Sequence, residues 1–177
     1  MIKIIKNIIL ILIVFIFFSS ITVYGAENTK ISFNEKNMYT KICTALGEMV
    51  IEKDDSKYEI TIATSDLNNI KELNLRNGQI KDISGIENFT ALTSLDLSQN
   101  IISSVEPLKN LVNLKTLNLY DNVLSSLSGL ENLTNLTTLK LGENNEIKKE
   151  EIANLSVLNN LVNLKTLDFL KIILLQF

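Results

Sequence analysis

Residues 70–135 read IKELNLRNGQIKDISGIENFTA, LTSLDLSQNIISSVEPLKNLVN, LKTLNLYDNVLSSLSGLENLTN, three consecutive 22-residue segments that begin at Ile70, Leu92 and Leu114. Each segment has apolar residues at positions 1, 4, 6, 11, 14, 17 and 20. In the second these are Leu92, Leu95, Leu97, Ile102, Val105, Leu108 and Leu111, and all 21 template positions of the three segments match. With 46% apolar residues in the chain, chance would fill the template about once in ten million trials, so the period is real.

One segment reads as a short strand, a turn and a return. In the second, Thr93 to Leu97 is the strand, with Leu95 and Leu97 on one face because side chains alternate along an extended chain. Position 9 is Asn100, repeated as Asn122 and Asn144, where an amide side chain can satisfy backbone groups of its own turn and of the neighbouring coil. The first segment has Gly78 there, which predicts a weaker end to the ladder. Ser84-Gly85, Glu106-Pro107 and Ser128-Gly129 occupy matching places in the return, and a Gly or Pro in each predicts tight or 3₁₀ turns rather than full helices.

A fixed period of roughly 20–29 residues with L-x-x-L-x-L-x-x-N is the leucine-rich-repeat pattern. The predicted fold is an α/β solenoid, with short parallel strands on the concave face and 3₁₀ or turn segments on the convex face. The repeats fill 70–169 as 70–91, 92–113, 114–135, 136–163 and a partial 164–169. The fourth has 28 residues, and its surplus falls in 143–154, where Glu146, Lys148, Lys149, Glu150 and Glu151 predict a solvated helix.

Ahead of the repeats, 33–69 reads as a helical N-terminal cap. Met38, Ile42, Ala45, Leu46 and Met49 fall on one helical face over 34–46, with Asn34 as N-cap, Phe33 and Met38 as a hydrophobic staple and Gly47 as the stop. Glu52 to Lys57 reads as a charged turn, Tyr58, Ile60 and Ile62 alternate as a strand, and Ser65 is placed to cap a short helical turn. Residues 26–32 read as an exposed leader.

Residues 1–25 read as a secretory signal. Lys3 and Lys6 precede an unbroken apolar run from Ile8 to Phe18, and small residues follow up to an expected cut after Gly25. Contact with a membrane is expected only through this segment, should it stay attached. Its removal takes away two lysines and no acid, so the net charge of −3 becomes −5. That balance, with Arg76 the one arginine, carries no nucleic-acid footprint. Cys43, the single cysteine, reads as a small buried apolar residue.

The last eight residues, 170–177, break the template and read as an aberrant tail. Written in AT-rich codons and shifted by one base, they give Ser-Lys-Asn-Asn-Ile-Thr-Thr-Ile, which restores Asn at position 9 and apolar residues at 11 and 14. A frameshift is therefore the expectation there.

The run from Gly85 through Ser98, the Pro107-Leu108-Lys109-Asn110-Leu111 return and the cap helix resemble internalin-type leucine-rich-repeat proteins of Gram-positive bacteria, over roughly residues 31–169. The resemblance implies a secreted or cell-surface protein that binds another protein through its concave sheet. Compared with that family the chain has few repeats and no wall-anchoring motif. This keeps open a truncated remnant of a longer surface protein, or the leading module of a secreted hydrolase.

No chemistry competes with binding. There is no histidine for a triad or zinc site, and neither G-x-x-x-x-G-K-[ST] nor G-x-G-x-x-G occurs, so no enzyme activity and no cofactor are expected. The concave face is the candidate site. Position 5 gives Asn74, Asp96, Asn118, Lys140 and Asp168, and position 7 gives Arg76, Ser98, Tyr120 and Gly142, flanked by Gln99, Asp121 and Glu143. Arg76, Asp96, Asn118, Tyr120 and Lys140 are the expected contacts for a protein partner, because arginine and tyrosine are over-represented among interface hot spots.

Overall fold

The computed structural model describes residues 27–144 and 155–169. The expected signal segment (1–25), most of the fourth repeat's surplus (145–154) and the tail (170–177) lie outside the described residues.

Every apolar template position of the three 22-residue segments faces the interior. All 21 of those side chains are at most 7% exposed, and most are at 0%. The strands are three residues long: β4 (Glu72–Asn74), β5 (Ser94–Asp96), β6 (Thr116–Asn118), β7 (Thr138–Lys140) and β8 (Thr166–Asp168). They pair in parallel in that order, and Leu73, Leu95, Leu117, Leu139 and Leu167 stand side by side. The ladder runs past the strands, with the Leu97 N–H donating to the Asn118 carbonyl at 2.9 Å and the Gln99 N–H to the Tyr120 carbonyl at 2.9 Å.

A parallel sheet of such short strands needs another source of cohesion at the turn, and the position-9 asparagines supply it. Asn122 is 5% exposed; its Nδ2 donates to the Leu97 carbonyl of the preceding coil (3.0 Å) and to Leu119 of its own (3.1 Å), while its Oδ1 accepts the Ile102 N–H at 3.1 Å. Asn100 and Asn144 repeat the arrangement. A second ladder, not anticipated from the sequence, runs along the residue before each new repeat. The Nδ2 groups of Asn113, Asn135 and Asn163 donate to the carbonyls of Thr90, Val112 and Thr134, each at 2.9 Å. The signal was present as an Asn-Leu pair at the head of the third, fourth and fifth repeats, where the second has Ala91-Leu92.

The returns follow the Gly/Pro reading. Single 3₁₀ turns form at Ile86–Asn88, at Glu106–Leu108 and at Leu155–Leu158, and the third coil turns without one. Gly85 and Gly129 lead into their turns with φ of +99° and +104°.

The cap differs from the sequence reading in four places. The first is the leader. Residues 28–32 form β1 (Asn28–Ser32), antiparallel to β3 (Glu59–Ala63), and Ile31 is 1% exposed. One inward side chain among polar neighbours left no visible period, and the partner strand lies about thirty residues away. Second, the helix α1 (Lys36–Leu46) starts after Glu35, not Asn34. Neither residue caps it, because both side chains are drawn to the first coil: Asn34 donates to Asp82 Oδ2 (3.0 Å) and Glu35 Oε1 accepts the Lys81 N–H (2.8 Å). Met38, Ile42 and Leu46 are buried as predicted and Tyr39 joins them, whereas Ala45 and Met49 face outward. Third, the first half of the charged turn is strand. β2 (Val50–Asp54) pairs with the other edge of β3, and the turn is confined to 55–58. There Asp54 Oδ1 accepts from Ser56 Oγ (2.6 Å) and from the Ser56 N–H (3.1 Å). Together with Lys57, Ser56 holds the Asp54 carboxyl down at about 2. Fourth, the short helix α2 (Thr64–Leu67) begins two residues early, with Ala63 at its N-cap and Ser65 inside it.

Candidate functional site

The concave face is a set of straight columns, because each repeat pairs in register with the next. Position 3 gives Glu72, Ser94, Thr116, Thr138 and Thr166; position 5 gives Asn74, Asp96, Asn118, Lys140 and Asp168. The structure therefore brings Asp96, Asn118 and Lys140 onto neighbouring strands, with Arg76 and Tyr120 two residues beyond the same column.

Several of these side chains already have local work. Asn74, Asp96 and Asn118 each accept the backbone N–H two residues on, at Arg76 (3.1 Å), Ser98 (2.9 Å) and Tyr120 (3.2 Å). This local turn ends the strand and starts the bend. Asp96 also accepts from Ser98 Oγ (2.6 Å) and from Asn118 Nδ2 (3.2 Å), so three of the face residues form one connected network. Lys140 cannot accept a hydrogen bond, and it stands exposed at the same position. Tyr120 is half-buried and its hydroxyl donates to Glu143 Oε1 at 3.4 Å. Arg76 is exposed and its Nε donates to Gln99 Oε1 at 2.8 Å.

The flanking residues share a backbone feature. Asn77, Gln99, Asp121 and Glu143 have φ of +52°, +57°, +56° and +61°. Side-chain-bearing residues seldom occupy this left-handed region, and each costs about 1–2 kcal/mol there. The ladder asparagine that follows, in every coil after the first, holds the chain in this bend. The result is a rim of polar side chains aimed along one edge of the concave face.

A second polar cluster sits in the cap and was not foreseen. The Tyr39 hydroxyl donates to Asp55 Oδ1, and the Tyr39 ring packs near those of Phe33 and Tyr58, with centroids 6.2 and 5.7 Å away. The Asp55 hydrogen bond, and then burial, push the Tyr39 phenol above its ordinary range. Cys43 is partly buried against the core, and burial pushes its thiol up despite an opposing hydrogen bond from Tyr39. A thiol shifted that way is protonated at neutral pH and a weak nucleophile, in keeping with the structural reading of this residue.

Magnitude bears on what the face can hold. Five strands at a spacing of ~4.8 Å make a surface about 20 Å wide, whereas a stable interface takes ~800 Å² from each partner. A partner bound here must also engage the rims.

The family model described as Leucine Rich repeats (2 copies) matches residues 64–111 and again 112–153. Among solved structures the chain is similar to an internalin (inlF) from Listeria monocytogenes, at 28% identity and a TM-score of 0.60, over 76% of this chain and 43% of that one. It is similar to internalin C2 (inlC2) from Listeria monocytogenes at 25% identity and a TM-score of 0.59, over 77% of this chain and 65% of that one. A third likeness is to the functional domain of InlJ from Listeria monocytogenes, at 26% identity and a TM-score of 0.51, over 70% of this chain and 29% of that one. The chain thus spans less than two thirds of the length of each of these structures. No curated protein sequence matches it.

Proposed function

We propose, because this chain belongs to the leucine-rich-repeat family, that it is a secreted, internalin-like module that binds a protein partner through its concave sheet. The observation that carries the reading is the register of the five strands. Register turns scattered polar residues into continuous columns, which is the property an extended binding surface needs. Tyr120 is the expected anchor. It stands on the third of the five strands' coils, and a ring held by its own hydrogen bond to Glu143 loses little freedom on binding.

The test is to capture the partner from the organism's own surroundings with the immobilised chain and to titrate it against variants. Tyr120→Ala is expected to weaken binding by more than ~1 kcal/mol, with Asn118→Ala smaller. Unchanged affinity for Tyr120→Ala would move the contact off the sheet.

Secretion is part of the same reading and rests on Lys3, Lys6 and the apolar run that follows. A cut after Gly25 leaves β1 whole, and keeps the Glu27 carbonyl that accepts the Thr64 N–H at 2.7 Å. N-terminal sequencing of the extracellular protein is expected to begin at Ala26 or Glu27. An extracellular form that still begins at Met1 would overturn the cleaved signal.

A further inference from the structure

The join between cap and repeats is built around Gly78. The later coils place a ladder asparagine at this position, but here a Cβ would stand 2.9 Å from Lys41 Cε and 3.0 Å from its Cγ. The missing side chain makes room for the Lys41 stem, which crosses the first coil and places its Nζ 2.7 Å from the Arg76 carbonyl oxygen. A helix residue thus delivers a fixed ammonium to the N-terminal end of the concave face, beside the protein's one arginine.

Among the described residues no carboxylate forms an ion pair with these charges: the ion pairs are Lys30–Glu59, Lys57–Asp54 and Lys109–Glu106, and none involves Lys36, Lys41 or Arg76. Arg76 bonds the neutral amide of Gln99 through Nε, which leaves both Nη groups for a ligand. Between α1 and the first coil runs a groove of about 460 Å³, walled by Lys36, Asn37, Thr40, Lys41, Asn77 and Gln79 among others, and no acid lines it. Glu35, next to Lys36, turns its carboxylate to the Lys81 N–H. In a chain with 20 acids to 17 bases this is a selective gathering of positive charge. The first turn of α1, which has no side-chain cap, adds its dipole to it.

We propose that this groove, with Arg76, receives an acidic peptide segment of the protein partner. Carboxylates of that segment pair with Lys36, Lys41 and Arg76, and its backbone meets the amide and hydroxyl groups of Asn37, Thr40, Asn77 and Gln79. Guanidinium Nη groups suit the planar carboxylate, which can accept two parallel bonds. The segment then continues past Arg76 onto the sheet, so the proposal rests on the concave-face reading and extends it by naming the partner's chemistry.

The test uses the full chain, isotope-labelled, and a hexaglutamate peptide as probe, with hexalysine, inorganic phosphate and phosphatidylglycerol vesicles in parallel. Hexaglutamate is expected to shift the amide resonances of Lys36, Thr40, Asn77 and Gln79 to saturation, and hexalysine to leave them unmoved. Lys36→Gln and Arg76→Gln lie away from the core. Each is expected to weaken hexaglutamate binding by about threefold or more, with the melting temperature unchanged, and added salt to weaken it further. Absence of shifts, or insensitivity to both substitutions, would overturn the proposal. So would equal shifts from phosphate at the same concentration, which mean an adventitious anion site, or binding to vesicles and not to peptide, which means a lipid surface. Failure here is separable from failure of the concave reading. A silent groove alongside a captured partner that still depends on Tyr120 removes only the groove, and the converse removes only the sheet contact.

Discussion

Replacement of Gly129 by alanine is expected to cost about 3–5 kcal/mol, although it adds a single methyl group. Gly129 has φ of +104°, where a side chain is strained whatever space surrounds it. Space is also missing. The new Cβ would stand 2.6 Å from the Val105 carbonyl oxygen and 2.8 Å from Glu106 Cα, both backbone atoms of the preceding coil that cannot rotate away. The adjacent coils would have to separate at the return, where Leu127, Leu130 and Leu133 fill the core at 0–1% exposure. In a solenoid each coil is held only by its neighbours, so a gap between the second and third coils divides the core in two. Chemical denaturation measures it. A Gly129→Ala protein within ~1 kcal/mol of the parent would mean that the return loop relaxes freely and that the coil spacing there is not fixed. Gly47→Ala is the control, since φ is again positive (+53°) but nothing lies within 4 Å of its Cβ, so only the strain is felt.

What could be read from the chain divides along sequence separation. The repeat core was legible because its period is local: Leu114, Leu117 and Leu119 declare a strand within six residues, and the next copy confirms it 22 residues on. The concave columns followed from the same period, since register across parallel strands is the period itself. The cap was not legible in this way. β1 holds one inward residue, Ile31, and β2 is an edge strand whose Ile51, Glu52 and Lys53 face solvent, so neither shows an alternation to detect. Asn34 and Glu35 have the residue types of a helix start, but tertiary bonds to Asp82 and Lys81, more than 40 residues away, claim both side chains. The positive groove fails to appear for the same reason. Gly78 read as a defect in the asparagine ladder, and only the approach of Lys41 shows why a side chain is absent there.

The site has a corresponding split between holding the fold and meeting a partner. Asp96 and Asn118 were expected as contacts, and both also tie the strand ends to the bend. Substituting either one mixes a loss of binding with a loss of local order. Lys140 has no such duty, and the Arg76 side chain has one hydrogen bond, to the Gln99 amide, so these two report on a partner more cleanly. A binding scan is therefore best read from Arg76, Tyr120 and Lys140 first.

The ladder asparagine at the centre of the solenoid gives a second large effect, and one that depends on pH. Asn122→Asp keeps size and shape but converts the two-proton donor into a group that only accepts. The Leu97 and Leu119 carbonyls lose the amide that satisfies them, and each unsatisfied buried group costs about 1–3 kcal/mol. A carboxylate would also be pressed against those two oxygens at a site 5% exposed. The expected loss at neutral pH is about 4 kcal/mol or more. Burial and the facing carbonyls disfavour the charged form, so the folded-state pKa of this new carboxyl lies above its unfolded value of about 3.9. The sign then reverses the usual behaviour of an acid. The penalty is present in full above the folded pKa and shrinks as pH falls through it, because the folded state binds the proton more tightly and the protonated acid can donate one bond. Denaturation of Asn122→Asp at neutral pH and near pH 5, against the parent at both, measures this directly. Asn113→Asp, on the exposed second ladder, should show a small loss and little pH dependence. A penalty for Asn122→Asp that is small, or that grows as pH falls, would mean that water reaches the turn and the ladder is not the bond that joins one coil to the next.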